Sequence, residues 1–100
     1  MRILHLITDH QVTERRLSEF EKLFPGCNDV LVFGEDSSYK HLTIHSTSTL
    51  VSRKNIKTIR KSFNFIKYNY IVIHYLTLEM IDFVEDAPKS IHISWEIYGY

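Results

Sequence analysis

The stretch from Tyr70 to Tyr75, which reads Tyr-Ile-Val-Ile-His-Tyr, constrains the fold more than any other part of the chain. Apolar or aromatic side chains fall on both faces of a strand here, and three β-branched residues stand in a row. Such a strand is typical of the centre of a parallel sheet that is covered on both sides. We therefore predict an open, mainly parallel α/β sheet of the Rossmann-like or flavodoxin-like class, with helices on both faces. Ligands of such sheets bind beyond the carboxyl ends of the strands, where His74, Tyr75 and Thr77 lie.

Length and composition limit the classes of function. The chain has 100 residues, of which 44% are hydrophobic and 24% charged, so we expect one globular α/β domain over residues 1–100. Twelve basic residues balance twelve acidic ones, and this neutrality gives no general argument for a nucleic-acid partner. The single cysteine excludes an internal disulfide, and no apolar run approaches the roughly 20 residues of a membrane span. We expect a cytoplasmic protein.

Other elements follow from periodicity and from helix start and stop signals. We predict strands at Ile3–Ile7, Val30–Phe33, Lys40–His45 and Ser90–Trp95, with a loop from Ser46 to Thr49. We also predict three helices. The first runs from the Thr8–Gln11 capping box to Pro25-Gly26. The second is capped by Ser52 and has the apolar stripe Ile56, Ile59, Phe63 and Ile66, and the third is capped by Thr77 and has the apolar residues Leu78, Ile81 and Val84.

Self-sufficient catalytic, metal and cofactor motifs are absent from the sequence. No Gly-rich phosphate loop follows the first strand, because the glycines are Gly26, Gly34 and Gly99. His41 and His45 have i, i+4 spacing, which in an extended strand holds them far apart. We expect neither a metal nor a cofactor.

Asp9 and His10 directly follow the first predicted strand. Asp9 suits the cap of the next helix, since Asp is a preferred cap residue. The alternative is that the Asp9 carboxylate, or the His10 imidazole, accepts a proton from a sugar hydroxyl in a cleft. For His74 the alternatives are a structural histidine bonded to the backbone and a ligand-binding one.

The end of the sequence, from Trp95 to Tyr100, combines aromatic residues with a carboxylate. By parity with Ile91 and Ile93, Trp95 is expected to close the core. The same cluster suits carbohydrate binding, since flat rings pack on the apolar faces of sugars. Because a domain seldom stops inside a strand exit, we expect the chain to be the N-terminal domain or fragment of a longer two-domain enzyme.

The order of these features resembles the N-terminal half of a GT-B glycosyltransferase, and most closely the bacterial 4-acetamido-4,6-dideoxygalactose (fucosaminyl) transferase family. The residues that carry the resemblance span most of the chain: His5, Asp9, Gly34-Glu35-Asp36, His74, Trp95 and Tyr98-Gly99-Tyr100. Tyr98 stands where the family usually has Trp.

The resemblance implies an acceptor-side domain in bacterial surface polysaccharide synthesis. A glycan or lipid-linked acceptor would bind here, and a second, C-terminal domain would bind the nucleotide-sugar donor, so residues 1–100 alone should be inactive. The candidates for the base near the acceptor hydroxyl are Asp9, His10, His74 and Glu96. The candidates for substrate binding are Thr8, Tyr75, Thr77, Trp95, Tyr98 and Gly99. The alternative is a small flavodoxin-like module that binds a partner or regulates it and catalyses nothing.

A basic segment precedes the central strand. Arg53, Lys57, Arg60 and Lys61 share one helical face, and no acidic residue occurs from residue 53 to residue 67. The simple interpretation is a solvated helix face. The alternative is a surface that faces an anionic membrane, because a lipid-linked acceptor lies there and basic residues are attracted to anionic lipids. On that alternative the protein is peripheral to the inner face of the cell membrane.

Overall fold

The computed structural model describes residues 1–8, 11–34, 48–52, 55–74 and 76–96, with the side chains of these except 11–14, 48–50 and 96. The strands are β1 (Ile3–Ile7), β2 (Asn28–Phe33), β3 (Ser48–Val51), β4 (Tyr70–His74) and β5 (His92–Glu96). The helices are α1 (Gln11–Leu23), α2 (Ile56–Ser62) and α3 (Leu78–Val84), and a 3₁₀ turn spans Phe65–Lys67.

The five strands form one sheet in the order β3-β2-β1-β4-β5, and every pairing is parallel. The predicted fold class is therefore confirmed. The strand order is that of a doubly wound sheet, in which the chain leaves β1 toward one edge and returns to build the other from β4. The predicted central strand is internal, between β1 and β5.

The larger apolar cluster lies on the face of the sheet that α2 and α3 cover. Fully buried Met80 and Phe83 of α3 pack there against strand residues such as Leu6 and Ile73. The ring of Phe83 has edge contacts with Phe33 and Phe63, at centroid distances of 5.7 and 5.2 Å. We call this side of the sheet the apolar face.

The opposite side of the sheet, which we call the histidine face, is covered by α1. Its apolar cluster is small and consists of Ile7, Leu17, Val30 and Val32. Because side chains alternate along a strand, His5 of β1 lies on this side with Ile7. The two faces thus share the same strands but contain different chemistry.

Two of the predicted element boundaries are wrong, and one predicted strand cannot be compared with the described residues. Ser48 and Thr49, predicted to be loop, belong to β3, which pairs with Val30–Phe33 of β2. Ser52 does not cap α2, because the helix begins four residues later and the Ser52 carbonyl accepts the Ile56 amide at 2.9 Å. The predicted strand Lys40–His45 lies outside the described residues.

The predicted apolar stripes are correct only in part. Ile56, Ile59 and Phe63 pack on the apolar face, whereas α2 ends at Ser62 and Ile66 is 84% exposed. The reason is that Phe63 adopts an extended conformation, which ends the helical periodicity.

The predicted cap of α3 is confirmed, since the Thr77 hydroxyl oxygen accepts the Met80 amide. Leu78, however, does not pack on the apolar face as predicted for this helix, because it is 80% exposed. Trp95 does not close the core, because it lies on the last strand of the sheet and is 58% exposed.

Candidate functional site at the carboxyl edge of the sheet

A pocket of about 200 Å³ lies on the apolar face, where β2 and β3 end and α2 and α3 begin. We call it the edge pocket, and its lining residues are Phe33, Gly34, Val51, Ser52, Ile56, Thr77 and Glu79. Its position agrees with the expectation that open parallel sheets bind ligands beyond the carboxyl ends of their strands.

The walls of the edge pocket are held by local hydrogen bonds. The Gly34 amide donates to the Val51 carbonyl at 3.0 Å, which joins the exits of β2 and β3. The side-chain oxygen of Asn55 accepts the Ser52 amide at 2.7 Å, so the backbone of Ser52 is fixed before α2 starts. Thr77 is positioned by its own capping bond to Met80 at 3.3 Å.

The chemistry of the edge pocket is mixed. Phe33, Val51 and Ile56 provide apolar surface, while Ser52, Thr77 and Glu79 provide two hydroxyls and a carboxylate. Hydroxyls donate and accept hydrogen bonds, and a carboxylate accepts them or removes a proton. An apolar wall beside such groups suits a polyhydroxylated ligand that has one apolar ring face.

His74 lies elsewhere, on the histidine face, and is fully buried together with His5. The His5 Nδ1 and His74 Nε2 atoms are 2.9 Å apart, and His5 Nε2 lies 2.8 Å from the side-chain oxygen of Asn28. The ring of Phe20 from α1 covers both imidazoles, with centroid distances of 4.7 Å to His5 and 5.9 Å to His74.

The partners of Asn28 assign the proton positions in this pair. The Asn28 amide nitrogen donates to the Phe24 carbonyl at 2.9 Å and to the Glu21 carboxylate at 3.1 Å, so its oxygen faces His5 and must accept. His5 therefore carries its proton on Nε2. In a neutral His5 imidazole that proton leaves Nδ1 as an acceptor, and His74 Nε2–H then donates to it.

Burial, and next the proximity of His5, lowers the pKa of the His74 imidazole from 6.5 to about 3. His74 is therefore neutral at physiological pH and lies out of contact with solvent. A general base works best with a pKa near the operating pH, so this environment is unfavourable to the predicted catalytic role. That role stays a prediction.

The structure brings one of the predicted site residues, Thr77, into the edge pocket. Thr8 is half-buried at the exit of β1, and Trp95 is on β5. Glu96 is paired in register with His74, at the carboxyl end of β5. The remaining predicted site residues lie outside the described residues: Asp9, His10, Tyr75, Tyr98 and Gly99.

Sequence reasoning missed Ser52 and Glu79 as lining residues of the pocket, and His5 as the partner of His74. Ser52 and Glu79 occupy a strand exit and the first turn of a helix, but the strand before Ser52 was not predicted. His5 carried a signal, because it is the one polar residue in an otherwise apolar strand.

The predicted basic face is partly neutralised by α3. Arg60 Nε donates to the Asp86 carboxylate at 2.7 Å, and Glu85 lies 3.8 Å from Arg60 Nη2. Asp86 raises the pKa of the Arg60 guanidinium, mainly through this hydrogen bond. Lys57 and Lys61 are exposed, and Arg53 lies outside the described residues.

In the described part of the chain, no three His, Cys, Asp or Glu residues are grouped so that they could hold a metal ion. None of the described helices has the length and apolar character that are needed to cross a bilayer.

Comparison with known proteins yields no relative. No protein-family model matches the chain, and neither a curated protein nor a solved structure matches it significantly.

Proposed function

We propose that this chain is the acceptor-binding domain of a glycosyltransferase that moves a sugar from a nucleotide-sugar to a glycan or lipid-linked acceptor. The observation that carries the proposal is the edge pocket, which combines two hydroxyls and a carboxylate with an apolar wall at the carboxyl edge of a doubly wound sheet. The resemblance to GT-B enzymes adds the reaction type. In this proposal a second domain binds the donor.

The size of the edge pocket suits one sugar ring. At about 200 Å³ it is smaller than the sites of roughly 300–1,000 Å³ that enclose a drug-sized ligand. In the proposed complex, Ser52 and Thr77 bond sugar hydroxyls and Phe33 contacts the apolar face of the ring. Glu79 joins Asp9, His10 and Glu96 as a candidate for the base, and His74 is the least favoured because it is buried.

Amide chemical shifts measured during titration with single sugars test this proposal. We expect galactose, glucose or an N-acetylhexosamine to shift the resonances of Gly34, Ser52 and Thr77, with a Kd of about 1–10 mM, near the weak end of the affinity scale. Ser52→Ala removes one hydroxyl, and Glu79→Gln removes the charge at nearly constant volume. Each should weaken binding at least fivefold.

Ser90→Ala is the matched control, because Ser90 is exposed and lies outside the edge pocket. It should leave the affinity unchanged. If no sugar in the panel shifts the pocket resonances, or if Ser52→Ala and Glu79→Gln bind as the wild type does, the acceptor-binding proposal is wrong.

A second candidate function is a non-catalytic flavodoxin-like interaction or regulatory module. The burial of His74 favours this second function. The structure describes the side chain of this catalytic candidate, and it contacts His5 rather than an open cleft. A chain that folds but ignores every sugar in the titration would support this second function over the first.

Peripheral attachment to the membrane is a further part of the proposal, and the exposed Lys57 and Lys61 of α2 support it. Each basic residue near an anionic surface adds on the order of 1 kcal/mol, and salt screens the attraction. Co-sedimentation with anionic vesicles should be measurable at low salt and should weaken at high salt and in Lys57→Glu/Lys61→Glu. If the wild type ignores these vesicles at low salt, the surface is only a solvated helix face.

A further inference from the structure

We propose that β5 is a dimerisation strand, which pairs with β5 of a second copy of this chain in antiparallel orientation about a two-fold axis at Ser94. This dimer is supported by the edge of the sheet, by the direction of the backbone groups of β5 and by the sequence of the strand. It is independent of the proposed sugar site.

β5 is the last strand of the sheet, and within the described residues it pairs with β4 alone. An edge strand exposes a row of unpaired backbone groups, which proteins usually protect with lysine, proline or a bulge. The strand reads His-Ile-Ser-Trp-Glu and contains neither lysine nor proline. Trp95, a large apolar residue, is 58% exposed on it.

The direction of the free backbone groups follows from one hydrogen bond. The His92 amide donates to the Asn69 carbonyl on the β4 side at 3.3 Å, so the backbone groups of His92 point into the sheet. Since successive residues of a strand point their amides to opposite edges, those of Ser94 also point inward. The amides and carbonyls of Ile93 and Trp95 therefore point outward.

These outward groups fit a two-fold axis at Ser94. In that register Ile93 lies opposite Trp95 of the second copy, and each such pair exchanges two N–H···O=C bonds. The two-fold axis repeats the pair, which gives four intermolecular backbone hydrogen bonds. Ser94 then faces Ser94 of the second copy as a non-hydrogen-bonded pair, with Cα atoms about 4.5 Å apart.

The sequence of β5 is complementary to itself in the same register. Ile93 opposite Trp95 is a β-branched and aromatic pair, which is among the favourable cross-strand pairs. In this register His92 lies opposite the acidic residue Glu96. A slip of the pairing by one residue would set the outward backbone groups of one copy against the inward ones of the other, and the intermolecular hydrogen bonds would be lost.

The histidine face offers a second feature that the dimer would extend. A groove of about 330 Å³ lies on it beside α1, and its lining residues are Met1, Ile3, Phe20, Phe24, Tyr70, Val72 and Ser94. Because Ser94 would lie on the axis, the grooves of the two copies would meet there. The dimer would thus join the two grooves across a seam that contains both Ser94 residues.

Sedimentation equilibrium of the full chain is the first test. With loading concentrations up to about 1 mM, the wild type should approach twice its mass of 11.9 kDa. Trp95→Pro removes one outward amide and adds ring atoms at the edge, without loss of a bond to β4. It should be monomeric at every concentration, whereas Trp95→Val, which keeps the amide, should weaken the dimer about tenfold or less.

Oxidative cross-linking tests the register on an intact backbone, and it remains informative if Trp95→Pro fails to fold. In a Cys27→Ser background, Ser94→Cys should form an intermolecular disulfide, since a Cα separation of about 4.5 Å is within disulfide range. His92→Cys is the matched control, because its two copies would be about 14 Å apart along the strands.

Three results would overturn the proposal: a wild type that stays monomeric, a Trp95→Pro variant that dimerises as the wild type does, or equal cross-linking at positions 92 and 94.

Discussion

The apolar face and the histidine face lie on the same strands but contain different chemistry, and the difference makes the two faces respond differently to pH. On the apolar face, α2 and α3 bury a continuous set of aliphatic and aromatic side chains, and the edge pocket lies at its carboxyl end. On the histidine face, α1 covers a small apolar cluster and a buried pair of imidazoles. Apolar packing is indifferent to pH, whereas a buried neutral histidine is not.

Two residues at the exit of β4, His74 and Thr77, have different environments on the two faces. Thr77 lies in the edge pocket, where a ligand can contact it. His74, only three residues earlier, is bonded to His5 and covered by Phe20. Position at a strand exit therefore does not by itself make a residue functional, because the two sides of one strand lead to different environments.

The largest expected effect is on the apolar face. Phe83→Ala should lower the free energy of unfolding by about 3–5 kcal/mol, since Phe83 is fully buried and its removal leaves a cavity among aromatic rings. Urea denaturation at pH 7 measures the change. Leu17→Ala on the histidine face should cost less, near 2–3 kcal/mol, because its cluster is smaller. Equal losses would contradict the claim that the apolar face contributes more.

The next effect is the pH dependence of the histidine face. The pKa of His74 is about 3 in the folded state and near 6.5 when unfolded, so the unfolded chain binds the additional proton below pH 6.5. The stability that depends on neutral His74 is therefore fully present above pH 6.5 and is lost as the pH drops toward 3. The slope should approach about 1.4 kcal/mol per pH unit.

Urea denaturation between pH 7 and pH 4.5 measures this slope. Asp29 does not interfere in that window: burial raises the pKa of its carboxyl, but hydrogen bonds from Arg2 and Tyr68 outweigh this and lower it below 3.8. The stability that Asp29 contributes is thus lost only at more acidic pH. A flat profile from pH 7 to pH 4.5 would show that His74 is not buried as described.

His74→Met tests the contribution of the histidine pair at neutral pH. It leaves His5 Nδ1 without its donor from His74, and we expect a loss of about 1–3 kcal/mol together with a smaller pH slope. Thermal and urea unfolding of the variant at pH 7 and pH 5 measure both quantities. An unchanged slope would mean that another group causes the pH dependence.

The smallest effect is at the cap of α3, beside the edge pocket. Thr77→Ala removes the acceptor of the Met80 amide and should cost about 1 kcal/mol, whereas Thr77→Ser keeps the hydroxyl and should cost less. Neither change should alter the pH slope, because Thr77 lies on the other face. A changed pH slope in Thr77→Ala would show that the two faces are coupled and would contradict their independence.

Much of the fold could be predicted because its signals are local. β1 was predicted at the residues where it occurs, and the apolar run of β4 identified an internal strand. The cap at Thr77 follows from the side chain itself. β3 was missed because Ser48 and Thr49 are polar, and their strand conformation depends on pairing with β2, which lies well before them in the chain.

The candidate site and the pair of His5 and His74 were harder to predict, since their parts are distant in the sequence. His5 and His74 meet because β1 and β4 are neighbours in a register that pairs Ile3 with Tyr70, and no local pattern indicates that register. Trp95 lies on the predicted face of the sheet, together with Ile93. It is exposed because β5 is the last described strand on that side of the sheet. Burial and proximity of this kind are properties of the assembled sheet.

The central claim is that the buried pair of His5 and His74 is structural and lies apart from the proposed ligand site in the edge pocket. Nitrogen-15 correlation spectra of the two imidazoles, recorded from pH 8 to pH 4.5, test it most directly. We predict that His5 and His74 each carry one proton on Nε2 and that His74 does not titrate over this range. Titration of His74 near pH 6.5, or a proton on His5 Nδ1 at neutral pH, would contradict the account and return His74 to the candidate catalytic residues.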